Sequence, residues 1–191
     1  TNAPACVSPP GGNKSMLGTN PISMSVPSEN NGIAFQFDQS TSAIAIGKIR
    51  VAAANGEQIP EGWAVDKNGN PTTDPNEALE GSLLSSGGYK GFGFGLMAEI
   101  LSSALTGSLS SADAPALKTT EGAPHDLGQS YILIDPDFNG ENDHFYKQLD
   151  KLSNLISSQP NARLPGSKKN NSEAVQIDKD LWNIVSELSS S

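Results

Sequence analysis

A single cysteine, Cys6, stands in 191 residues. No internal disulfide can form, and such a chain fits a reducing compartment. Basic side chains are scarce as well: 12 face 21 acidic ones, for a formal charge of −9. That balance argues against a nucleic-acid binder, which needs a basic face to displace counterions from phosphate. It disfavours an anionic membrane too, although one local basic pocket is compatible with any net charge. No apolar run is long enough to span a bilayer. The first residues have neither the charged nor the apolar region of a signal peptide. A cytoplasmic protein with no nucleic-acid or membrane partner is therefore expected. Apolar residues (36%) and charged ones (17%) are both few for a compact domain, and glycine (19) and proline (13) are plentiful. The apolar residues still fall in periodic segments, which excludes disorder throughout.

After an irregular lead-in over residues 1–20, two alternating segments predict a hairpin. Ile22, Met24 and Val26 alternate with serines; Ile33, Phe35 and Phe37 follow the turn residues 27–32. Asp38-Gln39-Ser40-Thr41-Ser42 carries side chains that cap helix starts, so a helix is expected from Ala43 to Ala54, stopped by Asn55-Gly56. Residues 59–75 read as turns, with Asp66-Lys67-Asn68-Gly69 the tightest. The strongest helical stripe is Leu96, Met97, Ile100, Leu101, Ala104 and Leu105. Residues 108–128 predict a long surface loop, and Tyr131–Ile134 a short buried strand. A helix over 143–157 is expected to bury Phe145, Leu149, Leu152 and Ile156; a polar loop over 163–172 and a last helix over 178–188 follow. No internal repeat occurs. The mixture predicts an α/β layered fold with a mixed, largely antiparallel sheet flanked by helices, unlike a doubly wound Rossmann domain.

Recognised catalytic motifs are also absent: no Gly-x-Ser-x-Gly, His-Glu-x-x-His or Cys-x-x-Cys. The two histidines, His125 and His144, have no partner at metal-ligand spacing, so no metal is expected. Lys48 and Arg50 read as exposed charges. What remains is Gly87-Gly88-Tyr89-Lys90-Gly91-Phe92-Gly93-Phe94-Gly95. It matches neither a Walker loop nor Gly-x-Gly-x-x-Gly. Two readings stay open for it. Glycines and a lysine before a helix can hold an anion, because a helix start presents free N–H groups and the positive end of its dipole. Alternatively it is a flexible or tightly packed connector with a solvated lysine.

Several runs, in order, resemble the type-2 malate/L-lactate dehydrogenase family: LGTNPISMSVP (17–27), FDQSTSAIAIGKIRVAA (37–53), IPEGWAVDKNGNPTTDP (59–75), GGYKGFGFGLMAEILSSALTG (87–107), IDPDF (134–138) and RLPGS (163–167). The resemblance implies an NAD- or NADP-dependent oxidoreductase with a non-Rossmann cofactor fold, working as a homodimer. It would move a hydride between nicotinamide and a 2-hydroxy acid/2-oxo acid pair, or a related cyclic imine. It implies cofactor contacts at Asp38, Gln39, Ser40, Thr41, Lys90, Gly91, Pro165 and Gly166, and a substrate-proximal position for Asn2 and Ala3. On that basis the glycine segment becomes scaffolding for the cofactor's phosphates.

Two departures stand out: Ser167 follows Pro165-Gly166 where relatives often carry glutamate, and Gln39 follows Asp38 where methionine is usual. The family's catalytic histidine and a nearby arginine belong to a region that would precede Thr1. The expectation is thus a C-terminal portion, inactive alone, with residues 1–140 as cofactor domain and 141–191 as a helical segment packing toward the missing region, which a separate N-terminal polypeptide could supply. The alternative is a catalytically inactive dinucleotide-binding or assembly module.

Overall fold

The computed structural model describes every residue except 31, 117–123, 139, 141, 168–173, 175, 190 and 191. The expected hairpin is present. Strand β1 (Ile22–Pro27) pairs antiparallel with β2 (Ile33–Gln39), with Ser23 opposite Asp38 and Ser25 opposite Gln36. A second antiparallel sheet has β3 (Ala64–Val65) between β4 (Pro71–Thr72) and β5 (Ser82–Leu83). The fold is α/β and antiparallel as expected, but among the described residues it has two small sheets rather than one mixed, largely antiparallel sheet. The turn-rich reading of 59–75 missed β3 and β4, because two-residue strands give no alternation to detect. The tight turn inside it is real. The Asp66 carboxylate accepts the backbone N–H groups of Asn68 and Asn70, at 2.8 Å each, and these bonds hold its carboxyl below the usual range.

Helix α1 (Ile46–Asn55) starts later than predicted. Asp38 and Gln39 belong to β2, and Ala45 occupies the N-cap with no side-chain cap. The hydroxyls of the Ser40–Ser42 turn bond within the turn and to neighbouring carbonyls instead. The predicted stop is correct: Gly56 adopts φ 69° and its N–H returns to α1. Helix α2 (Pro75–Glu80) has Asp74 as its cap, accepting from Asn76 and Glu77. The core gathers Val7, Leu17, Ile49, Ile59, Ala64 and Leu83 under α1 and α2, with Trp63 and Phe92 packed against it. The lead-in joins this core as well: Val7 bridges to both Leu17 and Leu83.

Helix α3 (Tyr89–Glu99) runs straight into a π-helical turn over Ile100–Ala104. Gly91, Gly93 and Gly95 lie inside α3, not in a loop before it; only Gly87 and Gly88 precede it. The helix buries Gly91, Gly95, Ala98 and Glu99. The apolar stripe read from the sequence is the solvent side: Leu96, Met97, Ile100 and Leu105 are all exposed. Small residues let α3 lie close against the rest of the fold, where a larger side chain would hold it off.

Two further helices complete the described chain: α4 (Asn142–Ser157) and α5 (Lys179–Leu188), the latter capped by the Asp178 carboxylate. Both occur close to the expected bounds. Of the four apolar residues expected under α4, Leu149 is buried, Phe145 and Ile156 are half-buried and Leu152 is exposed. Helix α5 buries none of its residues. The predicted strand at Tyr131–Ile134 does not form: the segment has no strand pairing, and Leu133 is 92% exposed. Its apolar run was read as buried on both faces; here neither face meets a second layer.

Candidate functional site

The Ser40–Ser42 turn is pinned from two sides. Thr41 N–H and Oγ1 both donate to the Thr19 carbonyl, at 2.8 and 3.0 Å. Ala43 N–H donates to Leu84 O, and Ser86 N–H to Thr41 O. These bonds bring the turn after β2 against the start of α3, about 45 residues later in the chain. A Cβ on Gly91 would lie 1.9 Å from the Ser86 carbonyl oxygen, and one on Gly95 3.0 Å from Thr41 Oγ1. Only glycine at 91 permits that approach.

The result is an open cleft of about 360 Å³. Gln39, Ser40, Thr41, Lys90 and Gly91 line it together. Phe37, Phe94 and Met97 supply apolar walls that the sequence reading did not assign: Phe37 read as a strand residue, Phe94 as part of the glycine segment and Met97 as part of the helical stripe. Lys90 sits in the first turn of α3 and has no ion-pair partner among the described residues. A lysine and a helix start both favour negative charge, and the apolar walls opposite offer contact area to a ring.

A second cleft, of about 540 Å³, lies across β2. Asp38, Pro165 and Gly166 line it, together with Arg163, Ser23 and Ser25. Phe37 borders both clefts. The eight cofactor-side residues expected from the sequence therefore divide between two neighbouring clefts, five in the first and three in the second.

Asn2 and Ala3 line neither cleft. Asn2 is buried, donating to Leu109 O at 2.8 Å and accepting Gly128 N–H at 2.9 Å. Ala3 N–H donates to Asn20 Oδ1. Asn20 belongs to a buried polar cluster beneath α3. Its amide donates to Gly95 O (3.1 Å) and to Glu99 Oε2 (2.8 Å), while Ser111 donates to the same carboxylate through its N–H (2.6 Å) and its hydroxyl. Nothing local in the sequence signals this cluster, since Glu99 sits in an apolar segment and its partners Asn20 and Ser111 lie elsewhere in the chain. The segment around Ser111, expected to be surface loop, is thereby tied down at its start.

The other candidates stay outside the clefts. His125 is half-buried with an unpartnered Nε2, His144 is exposed on α4, and neither lines a cleft. Burial pushes the Cys6 thiol up to about 11, outweighing a hydrogen bond from the Thr19 backbone and the nearby Arg50 charge. It is a protonated thiol at neutral pH, consistent with a packing role. Among the described residues no three His, Cys, Asp or Glu side chains are grouped to hold a metal ion, and no helix is long and apolar enough to cross a membrane.

The fold is α/β, with a cleft that sets Lys90 and the start of α3 against apolar walls. The family model for malate/L-lactate dehydrogenase matches residues 1–185, and the chain belongs to that family. It is 39% identical to the malate/(S)-sulfolactate dehydrogenase of Methanothermus fervidus, over 98% of this chain and 57% of that protein. It is 36% identical to the (2R)-3-sulfolactate dehydrogenase (NADP(+)) of Chromohalobacter salexigens, over 88% of this chain and 50% of that protein. The delta1-piperideine-2-carboxylate reductase structure from Pseudomonas syringae superposes with a TM-score of 0.84 at 33% identity, covering 98% of this chain and 58% of that one. The chain thus spans between half and three-fifths of the length of these relatives.

Proposed function

We propose that this chain carries the dinucleotide-binding part of an NAD(P)-dependent oxidoreductase acting on a 2-hydroxy acid/2-oxo acid pair or a related cyclic imine. The observation that carries the reading is the first cleft, where Gln39, Ser40, Thr41, Lys90 and Gly91 meet although the chain separates them by half a hundred residues. The nicotinamide, when bound, supplies the hydride chemistry. The chain's own residues would hold and orient the cofactor. Lys90 and the first-turn N–H groups of α3 take the phosphates. Thr41, fixed by Thr19, sets the floor, and Phe37, Phe94 and Met97 keep water from one side of the ring. A fold of small antiparallel sheets, rather than a parallel doubly wound sheet, supports the non-Rossmann cofactor architecture.

A proton donor is needed within hydrogen-bond reach of the substrate oxygen. No histidine lines either cleft. A donor supplied by a second polypeptide, which would also cover exposed apolar residues such as Leu133 and Trp182, completes the proposal, in an enzyme that works as a homodimer in the cytoplasm. Residues 1–140 would then act as the cofactor unit and 141–191 as the segment that meets the second polypeptide. The second reading is a dinucleotide-binding module that has no turnover of its own.

Titrating the purified chain with NADH and NADPH tests the binding claim. Lys90→Ala should weaken either dinucleotide by roughly 10- to 100-fold, the loss of a charge-assisted contact. Unchanged affinity would remove Lys90 from the phosphate site. Adding the second polypeptide and a 2-oxo acid separates the two readings: NADPH or NADH oxidation supports the enzyme, and silence with intact binding supports the module.

A further inference from the structure

We infer that Asn20 is a positioning residue: together with Thr19 it hangs both walls of the first cleft from one dipeptide, and so sets how far the Ser40–Ser42 turn stands from the helix of Lys90. This rests on the reading of the first cleft as a dinucleotide site. Asn20 adopts φ 35°, in the left-handed region that residues with a Cβ rarely visit. It also precedes Pro21, and a residue before proline favours extended backbone. Such a conformation persists only where the surroundings fix it, and it collects at sites whose geometry matters. Here the surroundings do fix it. Asn20 is fully buried, and its amide uses every hydrogen-bonding position it has. Oδ1 accepts the Ala3 N–H at 3.1 Å and the Ser111 hydroxyl at 3.3 Å. Nδ2 donates to Gly95 O at 3.1 Å and to Glu99 Oε2 at 2.8 Å.

The two donated bonds grip α3 at its middle and at its last residue. Thr19 grips the opposite wall, since its carbonyl accepts from both the N–H and the hydroxyl of Thr41. Ile22, just past Asn20 in the chain, lines the cleft as well. Among the described residues no hydrogen bond runs directly from the Ser40–Ser42 turn to α3. The ties from Ser86 N–H to Thr41 O and between Ser42 and Ser85 lie before the helix begins. Turn and helix come closest at Gly95, where a Cβ would stand 3.0 Å from Thr41 Oγ1. Asn20 holds α3 at that same residue. Phe94 and Met97, which line the cleft, fall immediately before and shortly after it, and Lys90 lies about one and a half turns earlier. A helix moves as a stiff body, so a shift at Gly95 carries all three. Asn20 itself lines neither cleft, so it acts through Gly95 and Thr41 rather than by touching the ligand.

The experiment compares Asn20→Gly, Asn20→Ala and Ser111→Ala in the full chain by calorimetric titration with NADH and NADPH, by urea unfolding and by amide NMR spectra. Glycine takes φ 35° without a Cβ penalty, so Asn20→Gly should keep the fold and lose only the side-chain bonds. It should weaken both dinucleotides roughly tenfold and move the amide resonances of Lys90 and Gly91. Asn20→Ala should bind as weakly and unfold at lower urea than Asn20→Gly. Ser111→Ala removes a donor to the same Glu99 carboxylate but leaves the bond from Asn20 to Gly95. It should lower the urea midpoint while holding both dissociation constants within about twofold. Binding by the unaltered chain with unchanged affinity in Asn20→Gly would overturn the assignment, leaving Asn20 a purely structural residue and the first cleft standing. An equal loss of affinity in Ser111→Ala would overturn it too, because affinity would then follow the stability of the cluster rather than the position of α3. If the unaltered chain binds neither dinucleotide, the dinucleotide reading itself falls, and this assignment with it.

Discussion

Residues 1–116 and residues 124–189 use the same kinds of side chain in opposite ways. In the first region Val7, Leu17, Ile49, Ile59 and Leu83 are buried in one cluster, and even polar groups such as Asn2, Asn20, Glu99 and Ser111 are enclosed and hydrogen-bonded. In the second, Tyr131, Ile132, Leu133, Ile134 and Phe138 are exposed, as are Leu181, Trp182, Ile184 and Val185 on α5. Exposed apolar area of this extent marks a surface that meets another. Periodicity shows that a segment has an apolar face; it does not say whether this chain or another covers it. The first cleft lies wholly within the first region, and the second falls where the two regions touch. The first region builds the floor of the second cleft from β1 and β2, and the second region contributes Arg163, Pro165 and Gly166 from a loop.

The contrast breaks most sharply at Glu99. Its carboxylate has three donors, from Asn20 and Ser111, in a buried setting. Glu99→Ala leaves those donors without an acceptor and should cost on the order of 3–5 kcal/mol. Urea unfolding would read this as a lower midpoint; a loss below about 1 kcal/mol would mean that water replaces the carboxylate and that the cluster is not a lock. Gly91→Ala should come next. A helical alanine is intrinsically better by about 1 kcal/mol, yet its Cβ would sit 1.9 Å from Ser86 O. Overpacking of that kind costs roughly 1–3 kcal/mol, and the steric term wins because the neighbour is backbone. Dinucleotide affinity should fall with stability, since the shift moves Lys90. A stabilised variant would show that the start of α3 is free to adjust.

How much of this was legible in the sequence follows the same division. The hairpin, the Gly56 stop, the Asp66 turn and the bounds of α4 and α5 were readable because each depends on chemistry within a few residues. The start of α1 was not: Asp38 through Ser42 have the composition of a cap, but long-range bonds to Thr19 and Leu84 hold that turn in another conformation. The glycines of α3 were misread as a loop because helix propensity counts against them, while Gly91 and Gly95 are held there by the close approach of Ser86 and Thr41. For the site, the grouping of Gln39, Ser40, Thr41, Lys90 and Gly91 came from the family resemblance; spacing alone had left the segment open. Arg163 was named only as the first residue of a polar loop, because nothing local to the loop reveals which strand it covers.

The smallest expected effect is also the sharpest test of the contrast. Leu133 is 92% exposed. Leu133→Asn removes a large apolar side chain, a change that inside a core costs 2–5 kcal/mol. Here it removes no buried contact, so the chain's own unfolding free energy should move by no more than about 0.5 kcal/mol. Solubility should rise, because an exposed apolar run with an unpaired backbone edge favours association. If a second polypeptide covers residues 131–134, the same substitution should weaken that association while leaving the isolated chain's unfolding curve where it was. A large destabilisation of the chain alone would mean that the segment packs against its own fold in solution. The second region would then be part of the core, and its apolar faces would no longer argue for a partner.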